Sequence, residues 1–96
     1  MSDYKKKIDE IYKKKNKIKY ETNNYILNLV KKKIIYYIEL QKYECQYIIP
    51  SFILGFPRYI INDVAKYIIR KIQKGGIDNI IFIEPNILYI EWSKLI

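Results

Sequence analysis

The sequence predicts an α+β fold, with a long N-terminal helical segment followed by a β-α-β-β unit built on a small three-stranded sheet. Three observations carry that expectation. No Gly or Pro occurs before Pro50, so nothing interrupts a helix running from Ser2 to about Leu40. Between Tyr43 and Trp92, three runs rich in Ile, Tyr and Phe are bounded by Pro50, by Gly75-Gly76 and by Glu84-Pro85-Asn86, a pattern of strands closed by turn residues. Between the first and second of these runs, the stretch from Ile61 to Ile72 changes to the period of an amphipathic helix.

At the start of the helical segment Ser2 or Asp3 offers a side-chain oxygen to the first free amides. Tyr4, Ile8, Ile11, Lys15, Ile18, Thr22, Tyr25 and Leu29 follow in alternating four- and three-residue steps, the spacing of a coiled-coil seam. Lys15 and Thr22 are polar, so a long dimeric coiled coil is allowed but not required. Asn16, Asn23 and Asn24 mark an expected break between a short first helix and a second, Tyr20 to Leu40. On the second, Ile26, Leu27, Val30, Ile34, Tyr37 and Ile38 form a wide stripe suited to docking on the sheet. Residues up to about Asn16 are expected to project. The division is then a basic helical arm, residues 1–19, and a single α+β domain, residues 20–96.

Tyr43 to Ile49 reads as a strand ended by Pro50, which has no amide hydrogen to give a ladder. Ser51 to Pro57 is an apolar connector expected to lie against the core, with Gly55 free to take a positive φ. Ile61, Val64, Ala65, Ile68, Ile69 and Ile72 then draw one helical stripe. Pro57 suits its entry, and Asn62 or Asp63 is expected to supply a capping acceptor. Arg70, Lys71 and Lys74 complement its C-terminal dipole, and Gly75-Gly76 stops it. Ile77 to Ile83 and Ile87 to Trp92 form a hairpin. Leu88, Ile90 and Trp92 share the face assigned to the core, where Ile68 and Trp92 are expected in one cluster. In Ile77 to Ile83 both faces are apolar, so the N-terminal half is expected to cover the second one. Strand order does not follow from the sequence. The last strand is expected antiparallel, between or beside the other two.

Half of the 96 residues are hydrophobic, enough for one modest core. Ile, Lys, Tyr and Asn supply 56 of them, while Ala occurs once and Arg twice, a bias expected from A- and T-rich codons. That bias by itself accounts for much of the Lys and Tyr content. There is no His and one cysteine, Cys45, so neither an internal disulfide nor a transition-metal site is supported. Without a His to activate it, Cys45 reads as a small core residue. Glu84 and Glu91 flank the hairpin, but no nucleophile, ligand set or phosphate loop accompanies them. Pro85-Asn86 and Trp92 are accounted for by a turn and a core side chain. The expectation is a non-enzyme without a cofactor. The N-terminus has no secretory apolar region, and no run of about 18 apolar residues occurs, the nearest being Tyr47 to Phe56 with Pro50 and Ser51 in it. A soluble chain that is not secreted is therefore expected.

Charge is divided unevenly. Residues 1–42 carry a net +7 and residues 43–96 a net +1. Lys5, Lys6, Lys7, Lys13, Lys14, Lys15, Lys17, Lys19, Lys31, Lys32 and Lys33 are the candidate contacts for a nucleic acid or another anionic partner, binding phosphates without sequence preference. Tyr4, Tyr12 and Tyr20 are placed to stack on bases of a single strand. Two Arg in the whole chain argue against bidentate base readout. A membrane surface is disfavoured as a partner, because the apolar stripe of the arm is broken.

Tyr47-Ile48-Ile49-Pro50, then Phe52, Gly55, Pro57 and Tyr59, with Tyr67-Ile68-Ile69, Pro85-Asn86 and Ile90 to Trp92, resemble a family of short uncharacterised proteins from nucleocytoplasmic large DNA viruses. The resemblance covers residues 20–93. The sequence departs from the family pattern at Gly76-Ile77, where Gly and an aromatic are expected, and at Glu91, where a small polar residue is expected. The resemblance implies a viral origin and an α+β fold and carries over no functional residue. Two functions follow as expectations. The first is a non-enzymatic interaction or structural module of the virion or virus factory in the host cytoplasm, with a protein partner or a second copy. The second is a sequence-nonspecific nucleic-acid-binding accessory protein.

Overall fold

The structure, a computed structural model, describes residues 2–96; the Ser2 side chain, one of the two expected caps, lies outside the described residues. Helix α1 (Ser2–Glu39) leads to strand β1 (Glu44–Ile48), helix α2 (Ile61–Lys74), strands β2 (Asn79–Ile83) and β3 (Ile87–Glu91), and a short 3-10 turn (Ser93–Leu95). The expected α+β architecture is present.

Helix α1 does not break at its asparagines, contrary to expectation. It runs unbroken for 38 residues, about 57 Å at 1.5 Å per residue, along the 59 Å long axis of the molecule. Short polar side chains compete with helical backbone bonds, but two of the three asparagines are taken up by the fold, while Asn16 stays in the helix exposed on the arm. Asn23 is buried, and Asn24 accepts a 2.7 Å hydrogen bond from the Tyr67 hydroxyl of α2. The Thr22 hydroxyl donates to the Ile18 carbonyl one turn back at 3.0 Å.

Both helices end in the same way. At α2 the Gly76 amide donates to the Gln73 carbonyl and the Ile77 amide to the Ile72 carbonyl, with Gly76 at φ +109°. This is the Schellman arrangement expected of Gly75-Gly76. At α1 the Gln41 and Lys42 amides reach the Ile38 and Tyr37 carbonyls in the same pattern, yet the left-handed position is held by Gln41 at φ 60°. A side chain there costs about 1–2 kcal/mol, against which stands the greater entropy loss of glycine. Gln41→Gly is therefore expected to stabilise the fold by about 0.5–1 kcal/mol in urea titration. A loss of stability would show that the Gln41 side chain makes a contact of its own.

At the start of α2 neither Asn62 nor Asp63 caps the helix. The N-cap is Ile60, in extended conformation and without a side-chain acceptor. Asn62 and Asp63 stand two and three positions past the cap, inside the first turn, where Asp63 acts on the dipole through its charge. The connector also departs from expectation. Ile53 packs on the core and the Phe56 ring lies 4.7 Å from that of Tyr25, but Phe52 and Leu54 point into solvent. Gly55 takes the expected positive φ of +89°.

The sheet order is β1-β3-β2, with β3 antiparallel to both neighbours. The last strand is thus inserted between two parallel strands joined through α2. Register fixes two rows across the inner face. Tyr47, Leu88 and Phe82 form one, and Cys45, Ile90 and Ile80 the next, with Trp92 and Ile49 following at the strand ends. Ile26, Val30 and Ile34 of α1 and Val64, Ala65 and Ile68 of α2 join these residues in one buried cluster. Ile68 and Trp92 both belong to it, as expected.

Both helices therefore lie on one face of the sheet. The expectation that the N-terminal half covers the second face is overturned, because the α1 stripe is consumed on the first one beside α2. A five-residue strand at the sheet edge offers each helix only a narrow seat, and two helices side by side are needed to close the inner face.

Candidate interaction surfaces

Two surfaces stand out from this geometry: the N-terminal half of α1 and the uncovered face of the sheet. Residues 3–21 are all exposed, and the first buried side chain of α1 is Thr22. On a helix, Tyr4, Ile8, Ile11 and Ile18 fall along one side, and Lys6, Lys13 and Lys17 along the opposite one. Lys31, further along, returns to the same side as Lys17. The remaining candidates are spread around the axis.

Not all eleven lysines are equivalent. Lys5, Lys6, Lys7, Lys13, Lys14, Lys15, Lys17, Lys31 and Lys32 are exposed. Lys19 lies 3.9 Å from the Asp63 carboxylate of α2. Lys33 is half-buried, with its ammonium 5.8 Å from the Tyr37 ring centre and 5.9 Å from that of Tyr47. Lys33 thus belongs as much to the fold as to any contact, while Lys19 stays exposed beside its partner. Where α1 leaves the core, Tyr12, Ile18, Pro57, Tyr59 and Ile60 line an open groove of 560 Å³ with Lys19 and Asp63 among its walls.

The outer sheet face, signalled by the unbroken apolar run in β2 and expected to lie under the N-terminal half, is bare. Register sets three rows there: Ile48, Ile87 and Ile83; Gln46, Tyr89 and Ile81; Glu44, Glu91 and Asn79. Ile48, Ile81 and Ile83 are 63%, 51% and 42% exposed. The face is apolar at one end and acidic at the other. Glu44 and Glu91 stand directly opposite one another, an unfavourable pairing for like charges. Neutral donors relieve it. The Tyr89 hydroxyl donates to Glu44, and Asn79 Nδ2 and the Ser93 amide each donate to Glu91 at 2.5 Å. Hydrogen bonds from Ser93 and then Asn79 hold the Glu91 carboxyl below its ordinary range, while the bond to Glu44 pushes the Tyr89 phenol up. Among the described residues, neither carboxylate has a Lys or Arg nitrogen within 4.0 Å.

Glu84 and Glu91 are not brought together, since Glu91 pairs with Asn79 at the far end of the hairpin from the Glu84 turn. Cys45 sits in the core at 3% exposure. Burial pushes its thiol up, with Lys33 opposing, which leaves little thiolate for nucleophilic chemistry. Among the described residues no helix is long and apolar enough to cross a membrane.

The family model that matches the chain, over residues 5–73, is DUF5759, a family of unknown function. The chain belongs to this family. Uncharacterized protein R447 of Acanthamoeba polyphaga mimivirus is 34% identical over 93 residues, covering 90% of this chain and 75% of its own length. The resemblance to short proteins of large DNA viruses is borne out by both. No solved structure matches the chain. The DUF5759 match begins within the exposed half of α1 and ends in α2, so it takes in the lysine-rich segment and stops short of the β2-β3 hairpin.

Proposed function

We propose that the protein is a small non-enzymatic interaction or structural module of a large DNA virus, acting in the host cytoplasm or virus factory or in the virion. Residues 20–96 form its α+β head and residues 1–19 a helical arm that makes the contact. One observation carries this reading: residues 3–21 are exposed throughout in an unbroken helix, while the buried core begins at Thr22. An isolated helix of that length is marginal in water, so an arm of this kind gains order from a partner.

Nucleic acid is the second reading, favoured by the line of Lys6, Lys13, Lys17 and Lys31 on one side of α1. Phosphate contacts by such a row are strongly salt-dependent and indifferent to base sequence.

Deleting residues 2–16 tests both. The truncated chain is expected to melt cooperatively within about 3 °C of the full chain, less than the shift that 1 kcal/mol produces in a domain of this size. Loss of cooperative melting would place the arm in the fold and overturn the division. On heparin or DNA-cellulose, elution of the full chain above about 0.3 M salt, lost on truncation, selects nucleic acid. Elution well below that, with no dependence on the arm, selects a protein contact.

A further inference from the structure

We propose that the uncovered face of the sheet is the seat for the arm of a second copy, residues 4–15 of one chain lying along the strands of another. This rests on the interaction-module reading and names its partner.

The two surfaces complement each other in charge and in spacing. The face presents Ile48, Ile83 and Ile87 at one end, Ile81 in the middle row and Glu44 and Glu91 at the other end, with no Lys or Arg nitrogen within 4.0 Å of either carboxylate among the described residues and Lys94 acting on Glu91 from further off. The arm presents Tyr4, Ile8 and Ile11 and then, in the same seam, Lys15. Four residues of strand separate the isoleucine row from the glutamate row, roughly 13 Å. Seven residues of helix separate Ile8 from Lys15, roughly 10.5 Å along the axis and on the same side, and the lysine side chain extends the reach further. An arm seated with Ile8 on the isoleucine row thus brings the Lys15 ammonium to the carboxylates.

Lys15 also discriminates between ways of pairing. In a coiled coil of two arms it interrupts an apolar seam and sets two strongly basic helices side by side. On the sheet face the same residue meets opposite charge. The chain cannot make this contact with itself, because α1 is one unbroken helix whose later turns pack on the opposite face of the sheet. A third layer packed on the bare apolar face would bury it, as in three-layer domains.

The test uses full-length chains in sedimentation equilibrium from about 10 to 500 µM, a span that resolves micromolar association. Wild type is expected to self-associate. Ile83→Lys, which spoils the face, and Ile8→Asp, which spoils the arm, are each expected to weaken association at least tenfold. Mixing the two variants is expected to restore it, since one keeps an intact arm and the other an intact face. Lys15→Glu, at an exposed position that cannot disturb the core, is expected to weaken association, and Glu44→Lys in the same chain to recover part of it. A wild type that stays monomeric throughout overturns the proposal and leaves the interaction-module reading to its own truncation test. Undiminished association of Ile83→Lys overturns it in favour of arm-to-arm pairing. A mixture that fails to restore association, with both variants melting cooperatively, overturns it as well.

Discussion

Trp92→Ala is expected to lower stability by about 3–5 kcal/mol, read in urea as a shifted midpoint at unchanged slope. Trp92 is 4% exposed and packs in the cluster shared by both helices and the sheet. Truncation leaves a cavity that a five-residue strand and two fixed helices relax into only in part. One hydrogen bond adds to the loss. The Trp92 indole donates to the Lys42 carbonyl at 3.1 Å, while the backbone amide of residue 92, which the substitution keeps, donates to the Tyr43 carbonyl at 2.9 Å and ties the end of β3 to the link between α1 and β1. Trp92→Phe keeps most of the volume and orphans the Lys42 carbonyl, so its cost is expected nearer 1 kcal/mol or slightly above. As the single tryptophan of the chain, Trp92 also reports directly, and the folded protein is expected to emit at the short wavelengths of a buried indole. An Ala variant losing less than about 1 kcal/mol would mean that the indole is not the keystone of this cluster.

Leu88→Ala is the second large effect, at about 2–5 kcal/mol in the same measurement. Leu88 is fully buried on the central strand, between Tyr47 of β1 and Phe82 of β2 in register. Its neighbour Ile87 belongs to the outer row, so Ile87→Ala in the same background is expected to cost much less. The contrast tests the register itself, because a slip by one residue exchanges the two faces. Equal costs at 87 and 88 would overturn the one-sided sheet.

Much of the fold was legible in the residues. The α2 stripe from Ile61 to Ile72 was readable because a helix facing a sheet on one side must repeat at 3.6, and Gly76 because only glycine takes φ +109° without strain. Leu88, Ile90 and Trp92 were readable as the core side because Glu91 had to face water. In β2 the same logic failed, since Ile80 to Ile83 are apolar on both sides and no alternation separates Ile80 and Phe82 from Ile81 and Ile83. Of the candidate lysines, the sequence distinguished none from another. Only packing turned Lys33 onto Tyr37 and Tyr47 and set Lys19 beside Asp63.

By itself, then, the sequence determined what local rules govern: which runs are helix or strand, where glycine and proline end them, which side of α2 and β3 is buried, and that the basic charge lies in the first 42 residues. The tertiary structure alone decided the continuity of α1, the insertion of β3 between β1 and β2, and the bare outer face with Glu44 opposite Glu91. The reason is physical. Asn24 is a helix-weakening residue until the Tyr67 hydroxyl, 43 positions away, occupies its side chain. Strand order and helix placement likewise follow from which apolar surfaces meet, a choice made between distant segments and invisible within any one of them.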